Sequence, residues 1–146
     1  MINYETVVEK LAPCGIDCSR CAYYEKGRIV LLSKELQFNL INFKRMADKA
    51  KAFMPIFGHY EEFSAILKHL SEGNCKGCRL SSKPQCSINE CSKAEKADFC
   101  FQCSKFPCTP ITYNESVKNS WVKNNNEMKN KGVEEFYLEQ IKKPRY

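Results

Sequence analysis

From Leu32 to Met54 the residues Leu32, Leu36, Leu40, Phe43, Ala47, Ala50 and Met54 recur at steps of four and three, with Lys34, Lys44, Lys49 and Lys51 between them. This spacing predicts one amphipathic helix over 32–54, the longest of the chain, ended by Pro55. Its heptad-like stripe reads as a helix packed on the chain's own core rather than as a coiled-coil seam. A second stripe at Tyr60, Phe63, Leu67 and Leu70 predicts a helix stopping at Gly73, where a glycine can take the left-handed cap conformation. Before Pro13, Thr6 and Glu9 have the spacing of a capping box and predict a short helix start. Beyond Pro110, Tyr113, Val117 and Trp121 suggest a further helix. A polar link from Asn124 to Asn130 and a last helix from Val133 to Ile141 follow, together a mobile C-terminal arm over 111–146. The expected class is mainly α, one small domain over 1–146 with a basic helical insertion at about 31–72.

Between the two outer helical regions the periodicity disappears and cysteines take its place. Segment 75–108 carries seven of the ten cysteines of this 146-residue chain, and few large aliphatic residues separate them. Apolar burial could hardly order such a segment. A metal could, since its binding free energy becomes folding free energy. Cysteine density of this order suits either a disulfide-stapled secreted scaffold or a reduced metalloprotein. The pairs Cys75-Lys76-Gly77-Cys78 and Cys100-Phe101-Gln102-Cys103 decide for metal, because a two-residue spacer lets two thiolates converge on one ion. Gly77 also permits the turn that aims backbone amides at sulfur.

The ligand sets are open to two readings. Cys75 and Cys78 with Cys100 and Cys103 give C-x2-C-x21-C-x2-C, close to zinc-ribbon spacing, leaving Cys14, Cys18 and Cys21 to take Cys108 as fourth ligand. Cys86 and Cys91 are then spare thiols or further ligands. The competing partition joins Cys75, Cys78, Cys86 and Cys91 and leaves Cys100, Cys103 and Cys108 to complete the other site. Two zinc ions per chain are expected in either case. An iron–sulfur cluster is the alternative, since four cysteines serve it equally well.

The chain carries an Ala12-Pro13-Cys14-Gly15-Ile16-Asp17-Cys18-x-x-Cys21 opening, the Cys75-Lys76-Gly77-Cys78 knuckle, a Cys86-Ser87-Ile88-Asn89-Glu90-Cys91 stretch and a closing Cys100-x-x-Cys103-x-x-Phe106-Pro107-Cys108. In the order and spacing of these motifs it resembles the uncharacterised cysteine-rich proteins of bacteria and archaea grouped as a domain of unknown function. The resemblance implies zinc binding and no particular reaction. The basic helix between the two cysteine blocks falls in a region of varying length among such proteins, and nothing is carried over onto it.

Charge changes the picture less than it first suggests. The formal net charge is +6, but two tetrathiolate zinc sites would lower it to about +2. Lys26, Arg28, Lys34, Lys44, Arg45, Lys49 and Lys51 could offer a face to a protein or RNA partner, although such a run is more often a solvated face. No stretch reaches the roughly 20 apolar residues of a membrane helix. Residues 1–10 lack the basic and apolar regions of a secretory signal, so a cytoplasmic protein is expected.

Other chemistry finds little support. Cys14, Cys18 and Cys21 match the C-x3-C-x2-C signature of radical S-adenosylmethionine enzymes, but those need most of a barrel, with strands this chain lacks. His59 and His69 are not needed as ligands beside ten cysteines. Asp17 and Glu90 are read as solvated carboxylates beside ligands. A thiol oxidoreductase would set its C-x-x-C at a helix start after a strand, a setting not visible here. Phosphate loops and hydrolase signatures are absent. The sequence therefore points to a zinc-stabilised interaction module, helices around a loop-rich cysteine hub with zinc-ribbon-like knuckles, and leans away from an enzyme.

Overall fold

Asn3 opens the first helix, α1 (Tyr4–Lys10), its side chain accepting from the Thr6 amide at 2.9 Å. The start lies ahead of the expected capping box, so Thr6 sits inside the helix. The structure, a computed structural model, describes residues 2–80, 86–108 and 114–146. Within these the chain is mainly helical and has no strand, only isolated bridges. No helix of the described residues is long and apolar enough to cross a membrane. The chain divides into two compact units, Arg20–Cys75 and the remainder, Met1–Ser19 with Lys76–Tyr146.

In Arg20–Cys75 the expected helix over 32–54 is two helices, α2 (Arg28–Asn39) and α3 (Lys44–Ala50). The break has a local cause and a packing cause. The Asn39 side chain bonds back to the Glu35 carbonyl at 2.8 Å, competing with helix continuation. The turn after Leu40 also lets the Phe43 ring pack at a tilt against Phe57 and Tyr60, at 5.9 and 5.4 Å between centroids. The buried face of α2 is not the Leu32 and Leu36 stripe, which is 50% and 43% exposed, but Val30 and Ser33. Val30 fits because Gly73 has no side chain there. A Cβ on Gly73 would lie 2.6 Å from a Val30 methyl. Helix α4 (Tyr60–Ser71) follows a 3-10 turn over Pro55–His59 and packs along α2, close to its expected bounds. Ser71 clamps the pair, its hydroxyl donating to Gln37 Oε1 at 2.9 Å.

In the other unit, α5 (Ser87–Ala94) lies inside the cysteine segment. Helix α6 (Glu115–Lys131) then runs straight through the expected Asn124–Asn130 link and is the longest helix of the chain. Asparagine is a weak helix former. Here, though, the Asn125 amide is fully buried and donates to the Trp121 carbonyl at 3.1 Å, while Asn124 reaches the Gly15 carbonyl at 3.5 Å. Tertiary partners thus override propensity. Gly132, at φ +90°, ends α6 and admits α7 (Val133–Gln140) at once. Instead of a free arm, these helices supply much of the core. Val7 and Leu11 pack with Phe99, Met128, Val133, Phe136 and Tyr137. Tyr113, expected to open this helical region, lies outside the described residues.

Candidate metal centre

All ten cysteines are free thiols, and eight of them lie in the unit built from Met1–Ser19 and Lys76–Tyr146. That unit has a second apolar cluster, formed by Ala12, Cys14, Ile88 and Trp121. Cys18, Cys78, Cys86, Cys100 and Cys108 pack against it. The thiols therefore stand on an apolar floor, where a sulfur's charge depends on few groups.

Cys14, Cys18, Cys78 and Cys86 form one set. Cys14 is buried, and burial pushes its thiol up to about 12, against a hydrogen bond from the Ile16 amide that favours the thiolate. Cys18 and Cys78 are hydrogen-bonded side chain to side chain. This bond pushes Cys18 down to about 6 and Cys78 up, so the first proton leaves the pair readily and the second with difficulty. The Cys78 amide adds a second hydrogen bond to Cys18 sulfur. The charge of Cys86 acts on both Cys14 and Cys78, and Cys100 also acts on Cys14, so the two sets adjoin at Cys14. The scaffold around Cys78 is tightly held. Its carbonyl accepts from Asn89 Nδ2 at 2.7 Å, and Arg79 Nε donates to the Val8 and Leu11 carbonyls at 2.7 and 3.0 Å. The Arg79 guanidinium also lies 5.1 Å over the Phe99 ring.

Cys91, Cys100, Cys103 and Cys108 form the other set, lining a single cavity of about 230 Å³ with Phe106 at its wall. Cys91 comes from α5 and Cys100 opens a 3-10 turn. The Cys100 amide donates to the Pro13 carbonyl at 3.2 Å, which ties that turn to the N-terminal loop. Cys103 sulfur accepts from the Lys105 amide at 3.5 Å. Trp121 meets Phe106 edge to face at 5.1 Å. Its buried indole N–H has no full hydrogen-bond partner, yet it is the group that favours the Cys100 thiolate, against burial that pushes Cys100 up to about 11.

These groupings differ from both sequence readings. Of the expected set Cys75, Cys78, Cys100 and Cys103, Cys78 has Cys18, Cys14 and Cys86 as its sulfur neighbours, whereas Cys100 and Cys103 share the cavity with Cys91 and Cys108. Cys21 and Cys75 belong to Arg20–Cys75. There Cys75 pairs with Tyr24 in a parallel bridge, its amide donating to the Tyr23 carbonyl and its carbonyl accepting from Glu25. Cys86 and Cys91, the expected spare thiols or further ligands, stand among the other thiols.

Among the remaining candidates, His69 contacts the Tyr23 hydroxyl at 3.3 Å and its ring edge, a packing role. Glu90 is exposed as expected. Asp17 is not a solvated carboxylate but buried, accepting from the Ser19 hydroxyl at 2.6 Å. Trp121, Asn125, Arg79 and Asn89 escaped sequence reasoning as parts of the centre. Only the i, i+4 spacing of Trp121 and Asn125 on one helix face could have paired the first two.

Among the described residues no three cysteine, histidine or carboxylate side chains converge, as they stand, into a group that could hold a metal ion. The thiols are gathered but not closed on a centre. Residues 10–113, more than half of the chain, match the family described as "Protein of unknown function (DUF3795)". No curated protein and no solved structure matches the chain.

Proposed function

The chain belongs to the DUF3795 family, and on that premise we propose that it is a zinc-binding protein, an interaction module stabilised by about two cysteine-ligated zinc ions. The observation that carries this reading is the gathering of eight reduced thiols in one unit, against an apolar floor, on loops whose own apolar content is small. Reduced thiols crowded together without disulfides repel one another once ionised. A divalent cation removes that cost and displaces the thiol protons. The donor set fits zinc, which takes four thiolates at roughly 2.3 Å without a preferred d-electron geometry.

The task of such a module is binding rather than catalysis. Support comes from the exposed apolar side chains Phe38, Ile41, Phe53 and Ile56, which flank Lys44, Arg45, Lys49 and Lys51 along the chain in Arg20–Cys75. These suit a protein partner.

Metal content of the whole chain, purified anaerobically without an affinity metal column, tests the reading. About two zinc and no iron per chain is the expected result. Iron with sulfide would replace the reading with an electron-transfer or sensing role, since four cysteines also hold such clusters. A metal-free, folded protein would end it.

A further inference from the structure

We infer that Cys91, Cys100, Cys103 and Cys108 hold one metal ion, that Cys14, Cys18, Cys78 and Cys86 hold a second, and that Cys21 and Cys75 hold neither. The assignment rests on the proposed metal binding and says which thiols perform it.

The first argument is helix geometry. Cys86 is the N-cap of α5, in extended conformation, and Cys91 lies within the helix five residues on. Five residues turn a helix by roughly 140° and advance it by about 7.5 Å. Sulfurs sharing a tetrahedral zinc must approach to about 3.8 Å, as a Zn–S bond of about 2.3 Å dictates. The two thiols therefore leave α5 on different sides, each toward its own set, and α5 spaces the two centres. The buried side chains of Ile88 and Asn89 fix this helix in place, Asn89 by its bond to the Cys78 carbonyl.

The second argument is the hydrogen bonding to sulfur. The Ile16 amide donates to Cys14 and the Lys105 amide to Cys103, the same i, i+2 turn once in each set. Amides aimed at sulfur in this way stabilise a charged thiolate ligand and orient it. Neither turn would need such a bond to support a neutral, packed thiol.

The third argument is Trp121. It is 2% exposed, and its indole N–H lacks a full hydrogen-bond partner. Burying an N–H without an acceptor forfeits its hydrogen bond to water with nothing in return. A metal-bound thiolate at Cys100, the thiol on which this N–H acts, supplies the missing acceptor. The cavity lined by the four thiols then needs only to draw its walls inward around the ion, each zinc displacing four thiol protons.

Cys21 and Cys75 belong to neither set. Both lie in Arg20–Cys75, where Cys75 pairs with Tyr24 in the parallel bridge and the Cys21 carbonyl accepts from the Tyr24 amide. The C-x-G-C knuckle thus sends only one of its thiols to a metal. A short spacer permits convergence but does not impose it.

The test is zinc and iron content of the intact chain and three double variants, Cys21→Ser with Cys75→Ser, Cys91→Ser with Cys103→Ser, and Cys14→Ser with Cys18→Ser. The expected result is about two ions in the parent and the first variant, and about one in each of the others. Loss of an ion from the Cys21 and Cys75 variant overturns the assignment, as does full metal content in either of the others. Where a serine pair lowers both ions by unfolding, Cys103→His and Cys18→His, which keep four donors, are loaded with Co²⁺. Each must change the visible spectrum of about half the bound cobalt, and a parent-like spectrum from either overturns the assignment. A parent chain without metal refutes the proposed function itself, a result read before any variant is made.

Discussion

The Phe101 amide donates to Asn125 Oδ1 at 3.0 Å, so one buried side chain in the middle of α6 holds the turn that carries Cys100 and Cys103. Asn125 is completely buried and uses its Nδ2 on the Trp121 carbonyl. Asn125→Ala leaves the Phe101 N–H without its acceptor and opens a polar hole beside it. An unsatisfied group of this kind costs about 1–3 kcal/mol. Urea unfolding of the variant should show a loss in that range with an unchanged slope. A stability equal to the parent would mean that the turn is held by other contacts.

Gly15 and Gly58 should respond in opposite directions to alanine. Gly15 has φ +82°, and a Cβ there would lie 2.7 Å from Asn124 Cβ and 3.0 Å from the Met128 methyl. Both the left-handed backbone and the clash with α6 oppose a side chain. Gly15→Ala is expected to cost about 1–3 kcal/mol or more. At Gly58 a Cβ meets nothing within 4 Å. Gly58→Ala is expected to be neutral or to stabilise by about 0.4–1 kcal/mol, through a less flexible unfolded chain. Thermal melts of the two variants beside the parent decide, and equal shifts would contradict the packing around Gly15.

Arg79 illustrates a position where charge conservation should not rescue. Its Nε serves two carbonyls, those of Val8 and Leu11, its Nη2 a third at Asp98, and its guanidinium plane covers Phe99. The planar fork reaches all of these at once, and an ammonium cannot. Arg79→Lys is expected to destabilise by about 1–3 kcal/mol, much as Arg79→Met does. A lysine variant with parent stability, measured by denaturant unfolding, would show that only the charge matters there.

How far these features could be read from the sequence depended on whether their cause was local. Helix α4 was legible because Tyr60, Phe63, Leu67 and Leu70 mark one face and Gly73 follows the end. The stripe from Leu32 to Met54 misled because its spacing continues unbroken through the turn between α2 and α3, where Phe43 packs on Phe57 and Tyr60 instead of extending a helix. The Asn-rich stretch in α6 read as a link because the partners of Asn124 and Asn125, Gly15 and Phe101, are distant in the chain. The cysteines followed the same rule. Their two-residue knuckles were visible, but which thiols share a neighbourhood depends on long-range anchors such as Asn89 on the Cys78 carbonyl.

Removing metal should separate the two units by their source of order. In Arg20–Cys75 the helices α2 and α4 are held by Val30 against Gly73, by the Phe43, Phe57, Tyr60 and Phe63 rings and by Ser71 on Gln37. None of these contacts involves a thiol. Segment 86–108 has instead few buried apolar side chains, Ile88 and Phe99 among them, and carries five cysteines. On the proposed metal binding its backbone order draws on the bound ion, because fixing a residue costs about 1–2 kcal/mol and little burial offsets it. Hydrogen exchange read by mass spectrometry, before and after a strong chelator, is expected to show lost protection in 86–108. Protection in α2 and α4 should be retained. Uniform loss across the chain would tie the stability of both units to the metal. No loss anywhere would mean that the packing of Trp121, Phe106 and Ile88 suffices to order the cysteine segment without an ion.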